Sequence, residues 1–337
     1  MTTIATHEID GFGRRVAIAV SSDDIFTAPV DIIALKYAQE SHRTDLEALS
    51  RLRVLGAEID LPRPDETFVI DPRTTAGPAI AFIGTVPLRS FEYADIRQLS
   101  RLAVAACSSA PPPAAHLGMT MHGVGIGLDE SEAFTAQLAG FLDALRGGAW
   151  PSALRLITVF ERNAKRAQRI ATMLNAVLPR KIAEQARRHV LQASEQRIES
   201  AGAGSRNKPH VFVAMPFGPE TDDLFHYGIE RPINGAGFLC ERIDSVAFTG
   251  DILAQIKLRI DAASFVVVEL SEPNANVYLE LGYAWGRNVR TILVSRGVDQ
   301  LRFDVQGQKC LLYSSIQQLE EVLGRELRRL TGEANGS

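Results

Sequence analysis

The sequence predicts two α/β domains in tandem, the second built on a doubly wound parallel sheet. Three observations carry this expectation. Short runs rich in Val, Ile and Phe alternate with longer amphipathic stretches along most of the chain, the pattern of a layered sheet with helices outside it. Downstream, those runs are almost continuously apolar, as expected of strands buried on both faces. The alternation is broken clearly once, by the small, polar and aperiodic stretch Ala201–Pro209, whose composition marks a flexible connection. A chain of 337 residues suits about two domains.

The elements follow in order. Val16–Val20 and Asp31–Leu35 read as short buried strands and Asp45–Leu55 as a helix. Ala79–Ile83 and Leu117–Met121 read as strands, each leading into a Gly-containing loop. Glu132–Leu145 is an amphipathic helix, Leu154–Phe160 a strand and Ala164–Leu178 a closing helix. Arg180–Ser200 lacks Gly and Pro, and Ile182, Ala186, Val190 and Leu191 recur at steps close to the helical period. One face could therefore pack on a domain or a second subunit. The expected organisation is 1–179, then a helix and linker over 180–209, then 210–337.

In that last part His210–Ala214, Phe238–Ile243, Phe265–Leu270, Val289–Val294 and Lys309–Tyr313 read as strands. Asp222–Ile233, Asp251–Ala262, Val277–Arg287 and Ser315–Leu330 read as helices. In open parallel sheets ligands sit beyond the carboxyl ends of the strands, where strand order reverses. The chemistry is therefore expected after Val213, Ile243 and Val268.

Composition narrows the partners. The formal charge is −4 and the pI about 6.0, so no broad positive field attracts nucleic acid. No apolar stretch is long enough to span a bilayer, and the N-terminus has no basic segment leading into an apolar run; the expectation is a soluble, cytoplasmic protein. Cys107, Cys240 and Cys310 are too scattered for a disulfide framework or a zinc site. Neither a metal nor a tightly held cofactor is expected. His116 and His122 share a strand face by their even separation, and core or strand-end packing accounts for them better than a metal pair.

Three strand ends carry residues that can do chemistry. The first leads into Met215-Pro-Phe-Gly218, a rigid turn whose backbone can approach a ligand. The second carries Arg242 and Asp244. The third carries Glu269, followed by Asn274 and Asn276 at the start of a helix with Tyr278 and Glu280. With Asn276 as the N-cap, Glu280 would fall in the first turn, near the positive end of the helix dipole. Its apolar surroundings, Val-Tyr-Leu-Glu-Leu-Gly-Tyr-Ala-Trp, make it a candidate catalytic carboxylate. It could equally be a glutamate that only favours the dipole. Met215, Phe217, Tyr278 and Tyr283 could line a pocket or simply pack.

The segments Val-Ala-Met-Pro-Phe, Arg-Ile-Asp and Glu-Leu-Ser-x-x-Asn-x-Asn-Val-Tyr-x-Glu-Leu-Gly-Tyr-Ala together resemble the nucleoside 2-deoxyribosyltransferase superfamily, related in fold to bacterial Toll/interleukin-receptor-like domains. The resemblance runs from Lys208 to about Tyr313, with Phe303-Asp304 matching a late element of the family. It implies a flavodoxin/Rossmann-like fold and cleavage of an N-glycosidic bond. Glu280 would attack the anomeric carbon, and Glu269, where the family usually has Asp, would hold the sugar or help protonate the base. Met215, Pro216, Phe217, Gly218, Arg242, Asp244, Asn274, Asn276 and Tyr278 would surround the substrate. Ala275 departs from the family's Pro.

Upstream, Phe82-Ile-Gly84-Thr85 and His122-Gly123-Val-Gly125-Ile-Gly127 form two Gly loops, the second able to present backbone N–H groups to a phosphate. With Asp31-Ile-Ile-Ala34 they look distantly like a macro domain, the ADP-ribose-binding fold. The resemblance implies Asp31 near an adenine-like base and Gly84, Thr85, Gly123, Gly125 and Gly127 near the phosphates. The expectation is an N-glycosidase acting on a nucleotide or nucleoside, NAD among them. It would be gated by a nucleotide-derived, ADP-ribose-like ligand, assembled as a homo-oligomer, and used by analogy in antiphage defence. The alternatives are a non-catalytic nucleotide-binding regulator and a Toll/interleukin-receptor-like assembly scaffold.

Overall fold

The computed structural model describes residues 2–11, 14–39, 44–54, 61–70, 77–147, 151–178, 193–243, 252–297, 301–302 and 305–332. They form two compact units, Met1–Val124 with Glu130–Ser205, and Gly125–Asp129 with Arg206–Ser337. Both are α/β.

The first unit holds a seven-stranded mixed sheet in the order β1-β2-β7-β6-β3-β5-β4. Its strands are β1 (Thr3–Gly11), β2 (Arg14–Ser21), β3 (Ile32–Tyr37), β4 (Thr67–Ile70), β5 (Ala79–Gly84), β6 (His116–Thr120) and β7 (Leu156–Phe160). The inner five run parallel, and the edge strands β1 and β4 pair antiparallel. The helices are α1 (Thr44–Val54), α2 (Tyr93–Ala106), α3 (Glu130–Arg146) and α4 (Ala164–Val177). Both edge strands and α2 were absent from the sequence expectation. The helix α2 carries a legible start signal, a reciprocal cap between Glu92 and Asp95. It buries Ile96, Leu99, Ala103 and Val104 at helical spacing. Of the predicted helix over 180–200, 193–200 is helical and 179–192 lie outside the described residues.

The second unit is an all-parallel sheet in the order β12-β11-β10-β8-β9. Its strands are β8 (His210–Ala214), β9 (Leu239–Glu241), β10 (Phe265–Glu269), β11 (Thr291–Ser295) and β12 (Cys310–Leu312). Read from β9 in chain order this is 2-1-3-4-5, the flavodoxin-like doubly wound arrangement, whose switch point lies between its first and third strands. Here that is the gap between the ends of β8 and β10.

Alternation along the strands assigns the two faces. Val211, Val213, Phe265 and Val267 pack under a π-helical turn (Leu224–Glu230), α5 (Arg231–Gly235) and α8 (Ile316–Thr331). Phe212, Ala214, Val266 and Val268 pack under α6 (Ile252–Ala262) and α7 (Ala275–Gly286). The expected single helix over Asp222–Ile233 is thus a π-helical turn running into a short α-helix. Such turns are rare and frequent at functional sites. No described helix is long and apolar enough to cross a membrane.

Candidate functional site

A groove of about 340 Å³ opens between α6 and α7, the helices that follow β9 and β10. Leu253, Ile256 and Lys257 line it from α6, and Tyr278, Glu280 and Tyr283 from α7. Glu280 is the acid of this mostly apolar groove. Burial pushes its carboxyl up from 4.5 to about 7, because desolvation penalises the charged form. Among the described residues nothing donates to it or pairs with it. The Tyr278 hydroxyl is buried without a hydrogen-bond partner among the described residues, and the Arg302 guanidinium lies 5.7 Å from its ring centroid.

The start of α7 differs from the sequence expectation. Asn274, not Asn276, is the N-cap, its side chain accepting from the N–H groups of Asn276 at 3.0 Å and Val277 at 3.3 Å. The helix begins at Ala275, so Glu280 is in its second turn and no acid lies in the first. The dipole fades within one turn and does not account for this glutamate. Asn276 is exposed. A Cβ added at Gly282 would meet nothing within 4 Å. Close packing therefore does not require glycine there, and its missing side chain leaves the groove wall open.

Glu269 does not join Glu280. It is the last residue of β10 and 2% exposed. Alternation sends it, with Phe265 and Val267, toward the face covered by α5 and α8. Its Oε1 accepts from the Ser271 N–H at 3.0 Å, from the Tyr313 hydroxyl at 2.9 Å and from the Ser271 hydroxyl. It is absent from the lining of the groove. The expected pair of catalytic carboxylates is divided between the two sides of the sheet.

The remaining predicted residues gather with Glu269's side. Met215 is 3% exposed and belongs to the core under the π-helical turn, so it packs and does not line the groove. The Thr221 hydroxyl donates to the carbonyls of Pro216 and Gly218 at 3.1 and 3.0 Å, which fixes the loop after β8. The Arg242 guanidinium lies between two rings, 4.2 Å from the Phe217 centroid and 3.8 Å from Phe225. Beside Phe225, the buried His226 has Nδ1 at 2.5 Å from Glu230 and Nε2 at 3.4 Å from Asp222. This trio escaped the sequence reading, although its spacing, acid and His four apart twice over, was legible. Lys257, the one lysine of α6, also escaped it, since nothing local to α6 shows that α7 packs beside it. Asp244 and the Phe303-Asp304 element lie outside the described residues.

In the first unit the expected ligand residues are only partly brought together. Asp31 precedes β3 and accepts the N–H groups of Ala115 and His116, both at 2.8 Å. Gly84 ends β5, paired with Tyr37 at the far end of β3, about 20 Å away at the usual strand rise. Asp31 therefore ties two strands at their amino ends and does not share a site with the Gly loops. A Cβ at Gly84 would lie 1.8 Å from the Arg63 carbonyl oxygen, so close backbone approach explains that glycine. Thr85 is buried, its hydroxyl directed to the Val86 carbonyl at 3.2 Å. Gly123, Gly125 and Gly127 have φ of 90°, 84° and 105°, a backbone that favours glycine. Gly123 belongs to the first unit, whereas Gly125 and Gly127 belong to the second.

His116 places both ring nitrogens on protein oxygens, Pro29 at 3.1 Å and Thr158 at 2.8 Å. Burial, helped by Lys36, holds His122 neutral, lowering it to about 3. Among the described residues no group of His, Cys, Asp and Glu is placed to hold a metal ion, and all three cysteines are free thiols.

No protein-family profile and no curated protein matches the chain. Solved structures similar to it include a macrodomain of Oceanobacillus iheyensis with MES bound, at 14% identity and a TM-score of 0.37, covering 51% of this chain and 96% of that one. The same macrodomain with ADP is 16% identical, at a TM-score of 0.34, over 50% of this chain and 93% of that one. The macro domain of ganglioside induced differentiation associated protein 2 is 11% identical, at 0.35, over 49% and 86%. At these scores neither a site nor a ligand transfers to the present chain.

Proposed function

We propose that the second unit cleaves the N-glycosidic bond of a nucleotide or nucleoside, with Glu280 as the nucleophile. One observation carries the reading: a carboxyl with no partner among the described residues, raised to about 7 by burial, in an open groove between two helices of a doubly wound domain. An acid raised by desolvation in a cleft is a candidate functional group. Such a group is ionised in a large fraction at neutral pH, yet is poorly solvated and therefore reactive.

In the proposed reaction the ionised Glu280 attacks the anomeric carbon as the bond to the base nitrogen breaks. The electron pair leaves with the base, which gains a proton from solvent. Developing positive charge on the sugar is offset by the carboxylate. Water then cleaves the glycosyl ester, adding its hydroxyl to the sugar carbon, releasing one proton and restoring the carboxylate. Glu269, tied to Ser271 and Tyr313, holds the switch-point loop in place and takes no direct part. The first unit is read as the receiver of a nucleotide-derived, ADP-ribose-like ligand that gates the second. That role and a part in antiphage defence rest on the sequence resemblances, and homo-oligomeric assembly rests on the apolar face of the 180–200 stretch and the linker after it.

The test is mass spectrometry of purified protein incubated with deoxynucleosides, nucleotides and NAD, with and without ADP-ribose, beside Glu280→Gln. Release of a free base by wild type alone supports the glycosidase. Retained nucleotide binding with no release under any condition would favour the second reading, a nucleotide-binding regulator, which the capture of Glu269 away from the groove supports.

A further inference from the structure

The start of the Ala201–Pro209 connection is not the flexible linker that its composition predicts. Ala201, Gly202 and Ser205 are buried, residues 193–200 before them are helical, and the chain goes on to enter β8 at His210. Residues 193–205 form a strap bonded to α2 and α3. The Arg97 guanidinium of α2 makes a fork with Asp143 of α3, at 2.6 and 2.9 Å. Its Nη1 donates to the carbonyls of Glu199 at 2.8 Å, Ala201 at 2.7 Å and Ile198 at 3.4 Å. Carbonyls at a helix end lack partners within the helix, and a cation there also meets the negative end of the dipole. Nearby, the Ser205 hydroxyl donates to the buried Glu132 of α3 at 2.5 Å and accepts the Gly202 N–H at 2.9 Å. The Arg197 guanidinium donates to the Ser131 hydroxyl at 2.6 Å.

Arg97 sits where the two helices meet. A Cβ at Gly140 of α3 would lie 2.1 Å from the Arg97 carbonyl oxygen, and one at Gly202 of the strap 3.0 Å from the Arg97 Cβ. Arg97 therefore reaches Asp143 and the strap together at only one spacing of α2 and α3. The same two helices follow the two Gly loops. α2 is the first α-helix after Gly84 and Thr85, and α3 is the next element after Gly123–Gly127. Both loops leave parallel strands at the carboxyl edge of the first sheet, with β3 alone between β5 and β6. A ligand held by those loops bears on the approach to both helices, and the strap is bonded to both.

We infer that residues 193–205 are the strap through which ligand occupancy of the first unit is passed to the second, with Arg97 as its clasp. This rests on the proposed gating by a nucleotide-derived ligand and names the element that carries it. Arg97 is a positioning residue, acting through the strap and not on a ligand. A ligand shifts an equilibrium only as far as its interactions differ between the two states. Here the difference is the spacing of α2 and α3, which decides whether Arg97 holds the end of the helix that runs toward β8.

The experiment is hydrogen exchange of the full chain read by mass spectrometry, with and without ADP-ribose, in wild type, Arg97→Met, Arg97→Lys and Asp143→Asn. Calorimetry measures ADP-ribose binding to each. Amides of 193–205 should be protected in wild type and exchange about tenfold to a hundredfold faster in Arg97→Met, with α2 and α3 still protected. ADP-ribose should change exchange in 193–205 and in β8 of wild type. Arg97→Met should still bind it without a response in β8, and Arg97→Lys should recover part of that response. Should Arg97→Met unfold α2, Asp143→Asn decides on the same readouts. Wild-type 193–205 exchanging as an unstructured chain would overturn the inference, as would a β8 response undiminished in Arg97→Met; either leaves the gating reading standing. Failure of wild type to bind ADP-ribose, or binding without any response in β8, sinks the gating reading and the inference with it.

Discussion

Replacing Glu280 with Gln should stabilise the protein above neutral pH and change it little in acid. The carboxyl rises from 4.5 to about 7 on folding. Between those values the folded chain holds a proton that the unfolded chain has released. Stability therefore falls as pH rises through that window, and the penalty is complete above about 7. About 2.5 units at 1.36 kcal/mol each gives roughly 3 kcal/mol, a ceiling, because the open side of the groove screens part of the charge. Gln has nearly the same shape and cannot ionise, so the variant escapes the penalty. Urea titrations of the full chain at pH 5 and pH 8.5 measure the difference. They are read through Trp285, whose indole N–H donates to Thr291 in the second unit, in a background where Trp150 is replaced by Phe. The difference between variant and wild type should be under about 1 kcal/mol at pH 5 and clearly larger at pH 8.5, within the ceiling of roughly 3 kcal/mol. An equal difference at both pH values, or a variant less stable at pH 8.5, would show that Glu280 has a partner and that its ionisation carries no cost.

Three further outcomes follow from the same geometry. Base release should rise with pH and level off above an inflection near 7, because the nucleophile is the ionised form of Glu280; a flat profile from pH 6 to 8 in a kcat/KM titration would assign the step to another group. Gly282→Ala should raise the urea midpoint, since Ala gains about 1 kcal/mol over Gly in a helix and its methyl meets nothing. The same methyl narrows the groove, so kcat/KM should fall. Tyr313→Phe removes the 2.9 Å bond to Glu269 and should cost about 1.5–3 kcal/mol of stability while leaving the pH inflection of base release in place; a shifted inflection would return Glu269 to the reaction.

Much of the architecture was legible because it depends on periodicity. Continuous apolar runs such as Phe265–Val268 read as buried strands. Two of the elements that escaped notice lie at the sheet edges. β1 and β4 are edge strands that pair antiparallel with the next strand in the chain, and α2 follows a capping box and buries Ile96, Leu99, Ala103 and Val104 at helical spacing, a signal that was present and went unread. At the candidate site, residue type was readable and company was not. Glu280 stood out because an acid amid apolar residues is costly anywhere. The division of Glu269 from Glu280 follows from strand parity and from which helices cover which face, and neither is local. Asp31 was misplaced because it precedes β3, which among parallel strands is the amino edge, whereas Gly84 ends its strand at the carboxyl edge.

The parity of β10 also constrains how this site can change over time. Val268 and Glu269 are neighbours in the chain but deliver their side chains to different compartments, one beneath the groove helices and one to Tyr313. Substitutions can therefore retune either compartment without reaching the other. A deletion or insertion of one residue within β10 has no such freedom, because it exchanges every side chain between faces at once. Strand length at the switch point is then inherited more strictly than the identity of the acid that ends it.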